Sequence, residues 1–321
     1  MTRVLAVRLD SLGDVLLAGP AIRALAHAFG HVDLLASPAG EPAARLLPAV
    51  DDVLVFDPPW SGYRPPPVDE PAVTALVRTL RSRRYDRAVV FTSYHQSPLP
   101  MALLARLAGV GWVGAACEDY PGSLLDLRHR RSGGHEVDAA LDLARAAGAR
   151  LRAGDTGRLA VRRPLPQVRP RPADTPFVVV HPGASVPARA LRGDHARAIV
   201  TALLEQGWNV VVTGSGDESE LVAEAAADGA TALSGRTGLP ELAALLEQAA
   251  CVVAGNTGPA HLAAAVGTPV VSLFSPVVPA ERWAPYGVPS VVLGDQWERC
   301  RNTRARECPV PGHPCLSGVP P

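Results

Sequence analysis

Lysine is absent from the 321-residue sequence, so every one of the 31 residues in the Lys+Arg total is arginine. That absence excludes Schiff-base and pyridoxal phosphate chemistry, which need a lysine amine, and the phosphate loop G-x-x-x-x-G-K-[ST]. Any grip on an anion must come from arginine or from backbone amides. Aromatic residues are scarce, at 5% against 47% hydrophobic residues overall, so Ala, Val and Leu have to fill the interior. Long apolar runs are missing too. The apolar run after Met1-Thr2-Arg3 is too short for a signal peptide, and no stretch approaches the ~18 apolar residues of a membrane span. A cytoplasmic chain is the expectation. Cysteine is sparse, with five residues, and the apolar contexts of Cys117 and Cys251 fit reduced, buried thiols better than a disulfide framework.

Net charge is also lacking, at zero, but its distribution is uneven. Residues 1–172 hold 22 Arg against 17 acids, a balance of +5, and residues 173–321 hold 9 Arg against 14 acids, a balance of −5. A basic half suits something anionic, such as a membrane surface or a phosphorylated acceptor; neutral drift in arginine usage explains the split equally well. Nucleic acid is disfavoured, because no interleaving of aromatic and basic residues appears.

What is present is a repeating rhythm of short Val/Leu-rich runs and Ala-rich helical stretches. Strands are expected at 3–7, 32–36, 53–56, 87–91 and 110–113, then at 177–181, 208–213, 231–233, 251–254, 269–274 and 290–293. Continuous apolar strands separated by helices imply parallel sheets covered on both faces, an α/β fold built twice. The proline-rich stretch around Pro164 to Pro172 has no apolar periodicity and reads as a stiff linker. The expected organisation is a Rossmann-like domain over 1–163, a linker over 164–176, a second Rossmann-like domain over 177–294 and a Cys/Pro-rich tail over 295–321. Two doubly wound domains joined by one linker are expected to face a cleft at the carboxyl ends of their strands.

The first expected strand runs into Arg8-Leu9-Asp10-Ser11-Leu12-Gly13-Asp14-Val15. Gly13 lets the backbone approach a ligand, and Asp14 at the helix start is either a general base or a complement to the helix N-terminus. Ser11 beside it suits a cap. In the second half, His181-Pro182-Gly183-Ala184-Ser185 is followed by Arg189, a combination of close-approach amides and a loop guanidinium that suits phosphate. Gly214-Ser215-Gly216-Asp217-Glu218 stops short of a dinucleotide fingerprint and fits a capped turn, with Glu218 the candidate for a ribose or base contact. Gly255-Asn256-Thr257-Gly258-Pro259-Ala260-His261 places a polar turn and a helix N-terminus after a buried strand, which is a phosphate cradle. His261 within it is either a ligand contact or a satisfied core histidine.

These segments, with Gly235-Arg236-Thr237-Gly238-Leu239-Pro240-Glu241-Leu242, resemble in order the ADP-heptose:lipopolysaccharide heptosyltransferase family, glycosyltransferase family 9. The resemblance implies a GT-B architecture, with acceptor bound mainly by the first domain and nucleotide sugar by the second. It implies an inverting glycosyltransferase that moves a heptose-like sugar from an ADP-linked donor to a hydroxyl of a lipopolysaccharide-core-like or other cell-envelope glycan. Carried over by position, Asp14 matches the family's catalytic aspartate, with Ser11 and Gly13 on the acceptor side. Ser185, Arg189, Glu218, Thr237, Asn256, Thr257, Gly258 and His261 match donor contacts. Arg189 stands where the family usually has Lys in a K-R-W-P motif, whose Trp-Pro is lost here, and Asn256 stands where it has Asp. No obligatory cofactor and no metal are expected, and the tail's Cys300, Cys308, His313 and Cys315 lack zinc-ribbon spacing. Peripheral contact with the inner membrane face accompanies a lipid-linked acceptor. Two rival functions fit the same scaffold: a nucleotide-sugar epimerase, and a non-catalytic nucleotide-sugar binding protein.

Overall fold

The computed structural model describes residues 2–131, 133–168 and 176–321. The chain divides into two compact units, Met1–Val161 and Arg162–Pro321. Of the stretch expected as a linker at 164–176, residues 169–175 lie outside the described residues.

The first unit runs β1 (Thr2–Arg8), α1 (Leu12–Phe29), β2 (Gly30–Ala36), α2 (Glu41–Leu46), β3 (Asp52–Val55), α3 (Glu70–Arg83), β4 (Arg87–Val90), α4 (Leu99–Leu107), β5 (Trp112–Ala116), β6 (Leu127–His129) and α5 (Glu136–Ala146). Its strands form one parallel sheet in the order β3-β2-β1-β4-β5-β6. Val4 to Val7 of β1 are all buried, because helices cover both faces of the sheet and leave no solvent side for a polar residue. Winding reverses between β1 and β4, and in such sheets ligands sit outside the carboxyl ends of the strands at the reversal.

The second unit repeats the plan. Its strands are β7 (Phe177–His181), β8 (Asn209–Gly214), β9 (Thr231–Ser234), β10 (Cys251–Gly255), β11 (Val270–Leu273) and β12 (Ser290–Leu293). Their order is β12-β11-β10-β7-β8-β9, again all parallel, with the reversal between β7 and β10. The helices are α6 (Gly193–Glu205), α7 (Ser219–Ala225), α8 (Leu239–Gln248), α9 (Gly258–Val266), α10 (Ala280–Trp283) and α11 (Pro314–Ser317). The expected α/β class is therefore observed in both halves.

Differences from expectation are local. β5 lies two residues later than the apolar run suggested, after a turn in which Gly109 takes φ +86°. β6 was not expected at all; it is a three-residue edge strand with no apolar run to announce it. α1 is long and apolar enough to cross a membrane, contrary to the sequence reading, but 61% of it is buried within the fold, as suits a core helix. As expected of a structural tail, residues 295–321 pack back, here onto the second unit: Asp295 N donates to Cys315 O at 2.9 Å, and Ala188 N to Arg306 O at 2.9 Å. The five cysteines are free thiols, and burial pushes Cys315 up to about 11, so that its thiol stays protonated. Among the described residues no group of three His, Cys, Asp or Glu side chains is placed to hold a metal ion.

Candidate active site

Arg8 ends β1 inside the first unit and is only 3% exposed. A guanidinium there needs partners, and it has several. Its Nε lies 2.9 Å from Asp10 Oδ2, and its Nη2 donates to Asp14 Oδ1 at 3.0 Å and to Ser93 Oγ at 2.9 Å. Glu136, the first residue of α5, approaches to 3.9 Å and is itself held by Arg131 at 2.8 Å. Two guanidinium groups thus face three carboxylates. Burial alone would lower the Arg8 pKa, but Asp10, Asp14 and Glu136 outweigh it and the net direction is upward. Asp10 also moves upward, because burial and the neighbouring Asp14 charge together exceed the pull of Arg8, Gln96 and Ser61.

Asp14 sits in the first turn of α1, where the helix dipole favours an anion. Both of its oxygens are engaged: Oδ1 by Arg8, and Oδ2 by Ser11 Oγ, which donates at 2.8 Å. Its side chain keeps 18% exposure, against 3% for Arg8, so the carboxylate is oriented from inside and stays partly exposed. Ser11 occupies the N-cap position without making a side-chain cap, since its hydroxyl goes to Asp14 instead. Gly13 is buried in that same turn. Beside Asp10, a small recess opens between the carboxyl ends of β1 and β4. Arg8, Asp10, Ser93, Gln96 and Glu136 had no role assigned from sequence. The one available signal was a charged residue ending an apolar strand, a position where a charge is rarely buried unless paired.

In the second unit the expected residues lie on loops at the carboxyl ends of β7, β8, β9 and β10. Pro187–Arg189 form a single 3-10 turn that carries Arg189, and Arg189 is half-buried. The carbonyl of Arg189 comes so close to Gly255, at the end of β10, that a Cβ there would stand 2.5 Å from it. The arginine turn is thereby seated on the strand that leads into α9. The tail secures it: His313 Nε2 donates to Ala188 O at 3.2 Å, beside the Arg306 carbonyl that receives Ala188 N. Ser185 is exposed on the preceding loop.

Glu218 makes a capping box with Ser215, its Oε2 accepting from Ser215 N at 2.8 Å, and its carboxylate lies where a Cβ on Gly183 would be. His181 Nε2 stands 3.8 Å from it, and burial lowers the His181 pKa despite the raising effect of Glu218. Thr237 lies on the loop after β9, where Gly235 packs against Gly216 and donates to Gly214 O at 3.0 Å. Gly258 opens α9, and His261 in its first turn is buried.

Two of the expected donor contacts have partners within the unit. Asn256 is buried, and its amide pairs with Ser275 in both directions: Nδ2 donates to Ser275 O at 3.3 Å, and Oδ1 accepts from Ser275 N at 3.2 Å. It ties the end of β10 to the end of β11 rather than reaching outward. The Thr257 amide, expected to face an anion, already donates to Gly255 O at 2.9 Å, which leaves the Gly258 amide as the donor at that turn.

The profile of glycosyltransferase family 9 (heptosyltransferase) matches residues 73–313. Lipopolysaccharide heptosyltransferase 3 of Escherichia coli is 36% identical over 104 residues, a stretch that spans only 30% of this chain and 31% of that relative. Lipopolysaccharide heptosyltransferase 1 of Pseudomonas aeruginosa is 29% identical over 92% of this chain and 84% of its own length. Among solved structures, E. coli heptosyltransferase WaaC with ADP-2-deoxy-2-fluoro heptose superposes with a TM-score of 0.69 at 19% identity, covering 92% of this chain and 94% of that one. That likeness establishes the GT-B fold.

Proposed function

The chain belongs to glycosyltransferase family 9, and on that premise we propose that it is an inverting glycosyltransferase, carrying a heptose-like sugar from an ADP-linked donor to a hydroxyl of a lipopolysaccharide-core-like or other cell-envelope glycan. The single observation that carries the proposal is Asp14, a carboxylate at a helix start, oriented by Arg8 and Ser11 and partly exposed. Asp14 takes the proton of the acceptor hydroxyl as that oxygen attacks the anomeric carbon from the face opposite the diphosphate. The bond from the anomeric carbon to the phosphate oxygen breaks, and the electron pair leaves with the nucleoside diphosphate.

The departing charge falls on Arg189 and on the Gly258 amide with the positive end of α9, groups fixed before the reaction begins. The arginine fork suits a diphosphate, although it is not an equivalent replacement for lysine. Glu218, Thr237 and Ser185 are assigned to the donor, and His261 supports the same turn. No obligatory metal is assigned, because guanidinium and helix dipole supply the positive charge. The solved complex of E. coli WaaC with ADP-2-deoxy-2-fluoro heptose supports ADP-heptose as the donor class. Action at the inner membrane face follows if the acceptor is lipid-linked.

The test is product analysis with ADP-heptose and a lipopolysaccharide-core acceptor. Acceptor-dependent release of ADP, with inverted configuration in the product, is the expected result. Isomerised donor without any acceptor would instead identify an epimerase. Tight donor binding with neither reaction would identify a binding protein.

A further inference from the structure

His181 closes β7 and is only 6% exposed, yet it takes no part in the proposed transfer. Its two ring nitrogens have different neighbours. Nδ1 lies 3.0 Å from Oγ1 of Thr213, a residue 1% exposed on the adjoining strand β8. Nε2 makes no hydrogen bond among the described residues and stands 3.8 Å from Glu218 Oε2, beyond hydrogen-bond reach. β8 presents Thr213 to the ring and β10 presents Ala254, so that among the described residues Glu218 is the one charge acting on it.

Glu218 is fixed at one oxygen and uncommitted at the other. Ser215 N donates to Oε2 at 2.8 Å, and Gly183, which has no side chain, leaves room for the carboxylate. Oε1 accepts no hydrogen bond among the described residues, and the side chain keeps 20% exposure. An ionised carboxylate is acceptor-only, so its fitting partner is a hydroxyl. In doubly wound nucleotide-binding sheets an acidic side chain past the first helix takes a ribose hydroxyl, and Glu218 stands past α6 in such a sheet.

The 3.8 Å gap makes the charge on His181 decisive. A neutral ring leaves Glu218 where Ser215 holds it. A protonated ring draws Oε2 across the gap into a charge-assisted bond, which moves the carboxylate away from a ribose. Burial lowers the His181 pKa although Glu218 raises it, so the neutral form prevails at neutral pH.

We infer that His181 is a positioning residue for the nucleoside end of the donor: anchored by Thr213, its neutral ring leaves Glu218 poised to accept from a ribose hydroxyl, and its protonated ring withdraws that carboxylate. The inference rests on the assignment of Glu218 to the donor; the parts played by His181 and Thr213 rest on the distances.

The experiment is titration calorimetry on the full chain with ADP, 2′-deoxy-ADP and 3′-deoxy-ADP between pH 7.5 and 5.0. The phosphates of the three ligands titrate alike, so the ratio of deoxy to parent Kd reports the hydroxyl contact alone. At pH 7.5 at least one deoxy analogue should bind about tenfold more weakly than ADP, as the loss of a bond to a carboxylate requires. That ratio should shrink about threefold or more by pH 5.0, as His181 takes up its proton. His181→Gln should give a smaller ratio at pH 7.5 that no longer varies with pH. Thr213→Val should also reduce the ratio, and Thr213→Ser should restore it. A ratio constant with pH in the parent chain overturns the inference and needs no variant to fold; a His181→Gln profile that follows the parent's, or an unchanged ratio in Thr213→Val, overturns it too. Glu218→Ala separates the inference from its premise. If that change removes the hydroxyl discrimination while His181→Gln leaves the pH profile intact, Glu218 binds ribose and His181 does not position it. If the discrimination survives Glu218→Ala, the premise fails and the inference with it. The expected ratios without any sugar transfer would sustain the inference and overturn the transferase reading.

Discussion

The Arg8 guanidinium donates to the Asp14 carboxylate at 3.0 Å from within the core of the first unit. The proposed base is therefore held by a residue that solvent hardly reaches, and the same guanidinium also neutralises Asp10. Arg8→Met would leave Asp10, Asp14 and Glu136 around a single remaining guanidinium. Breaking a buried pair in this way costs ~3–5 kcal/mol, and the thermal midpoint of the first unit should fall by roughly 10 °C. Calorimetry on the full chain reads this directly. A midpoint within a degree or two of the parent would mean that the cluster contributes little to the fold.

Asp14→Asn keeps the size of the side chain, and its oxygen can accept from Arg8 while its amide nitrogen donates to the Ser11 hydroxyl, so the fold should persist. Removal of a general base lowers turnover by about 10² to 10⁴. ADP release should drop by that factor at saturating substrates, with the circular dichroism spectrum unchanged. Retention of most of the activity would remove Asp14 from its assigned role.

Two glycines in the second unit should respond differently to the same change. A Cβ on Gly255 meets the Arg189 carbonyl, which is backbone and cannot move aside cheaply, so Gly255→Ala should cost ~1–3 kcal/mol and weaken ADP binding by displacing the arginine turn. A Cβ on Gly183 meets only the Glu218 carboxylate, at the end of a flexible side chain, so Gly183→Ala should cost about 1 kcal/mol through the lost capping box. If Glu218 contacts the nucleoside, Gly183→Ala will nonetheless raise the Kd for ADP. An unchanged Kd would assign Glu218 to the turn alone.

Asn256→Asp tests whether the family's usual residue would fit here. A carboxylate can accept from Ser275 N but cannot donate to Ser275 O, so one of two buried bonds turns repulsive, at a cost of ~1–3 kcal/mol. Chemical denaturation of the two proteins should show a lower midpoint for the variant. Equal midpoints would mean that the β10 and β11 ends repack around the charge.

Acidification should weaken the second unit. Burial lowers the pKa of His181, His195 and His313 below the ordinary value of 6.5. Between those lowered values and 6.5 the unfolded chain binds protons that the folded one does not, so stability falls as the pH drops below about 6.5. Asp10, whose pKa is raised, acts in the opposite sense and in the other unit: its contribution declines as the pH rises through its folded value. Scanning calorimetry at pH 7.5 and 5.5 should show the second unit losing stability, and His181→Gln should reduce that slope. A pH-independent transition would contradict the assigned direction.

Much of this architecture was legible because buried parallel strands advertise themselves as apolar runs. Phe177–His181 and Ser290–Leu293 fall where the runs do. β5 was less legible because Gly114, Ala115 and Ala116 give its second half little strand character, while the apolar Val110 that drew the expectation belongs to the preceding turn. The Asp14 position could be read from local spacing, but its setting could not. Glu136 is 128 positions from Arg8, and only the sheet order brings α5 beneath the end of β1. The setting of Asn256 was hidden for a related reason: its partner Ser275 lies just past the end of the next strand, and no local pattern distinguishes an amide that points outward from one that bridges two strand ends.

The strapping of the Arg189 turn by Arg306 and His313 also bears on the order in which the protein becomes competent. Synthesis proceeds from the amino terminus, and early domains complete themselves while later ones are still emerging from the ribosome. The Asp14 half is then finished first. The turn proposed to hold the donor diphosphate waits for Arg306 and His313 to be translated, so a chain released before them would carry its base without its phosphate grip.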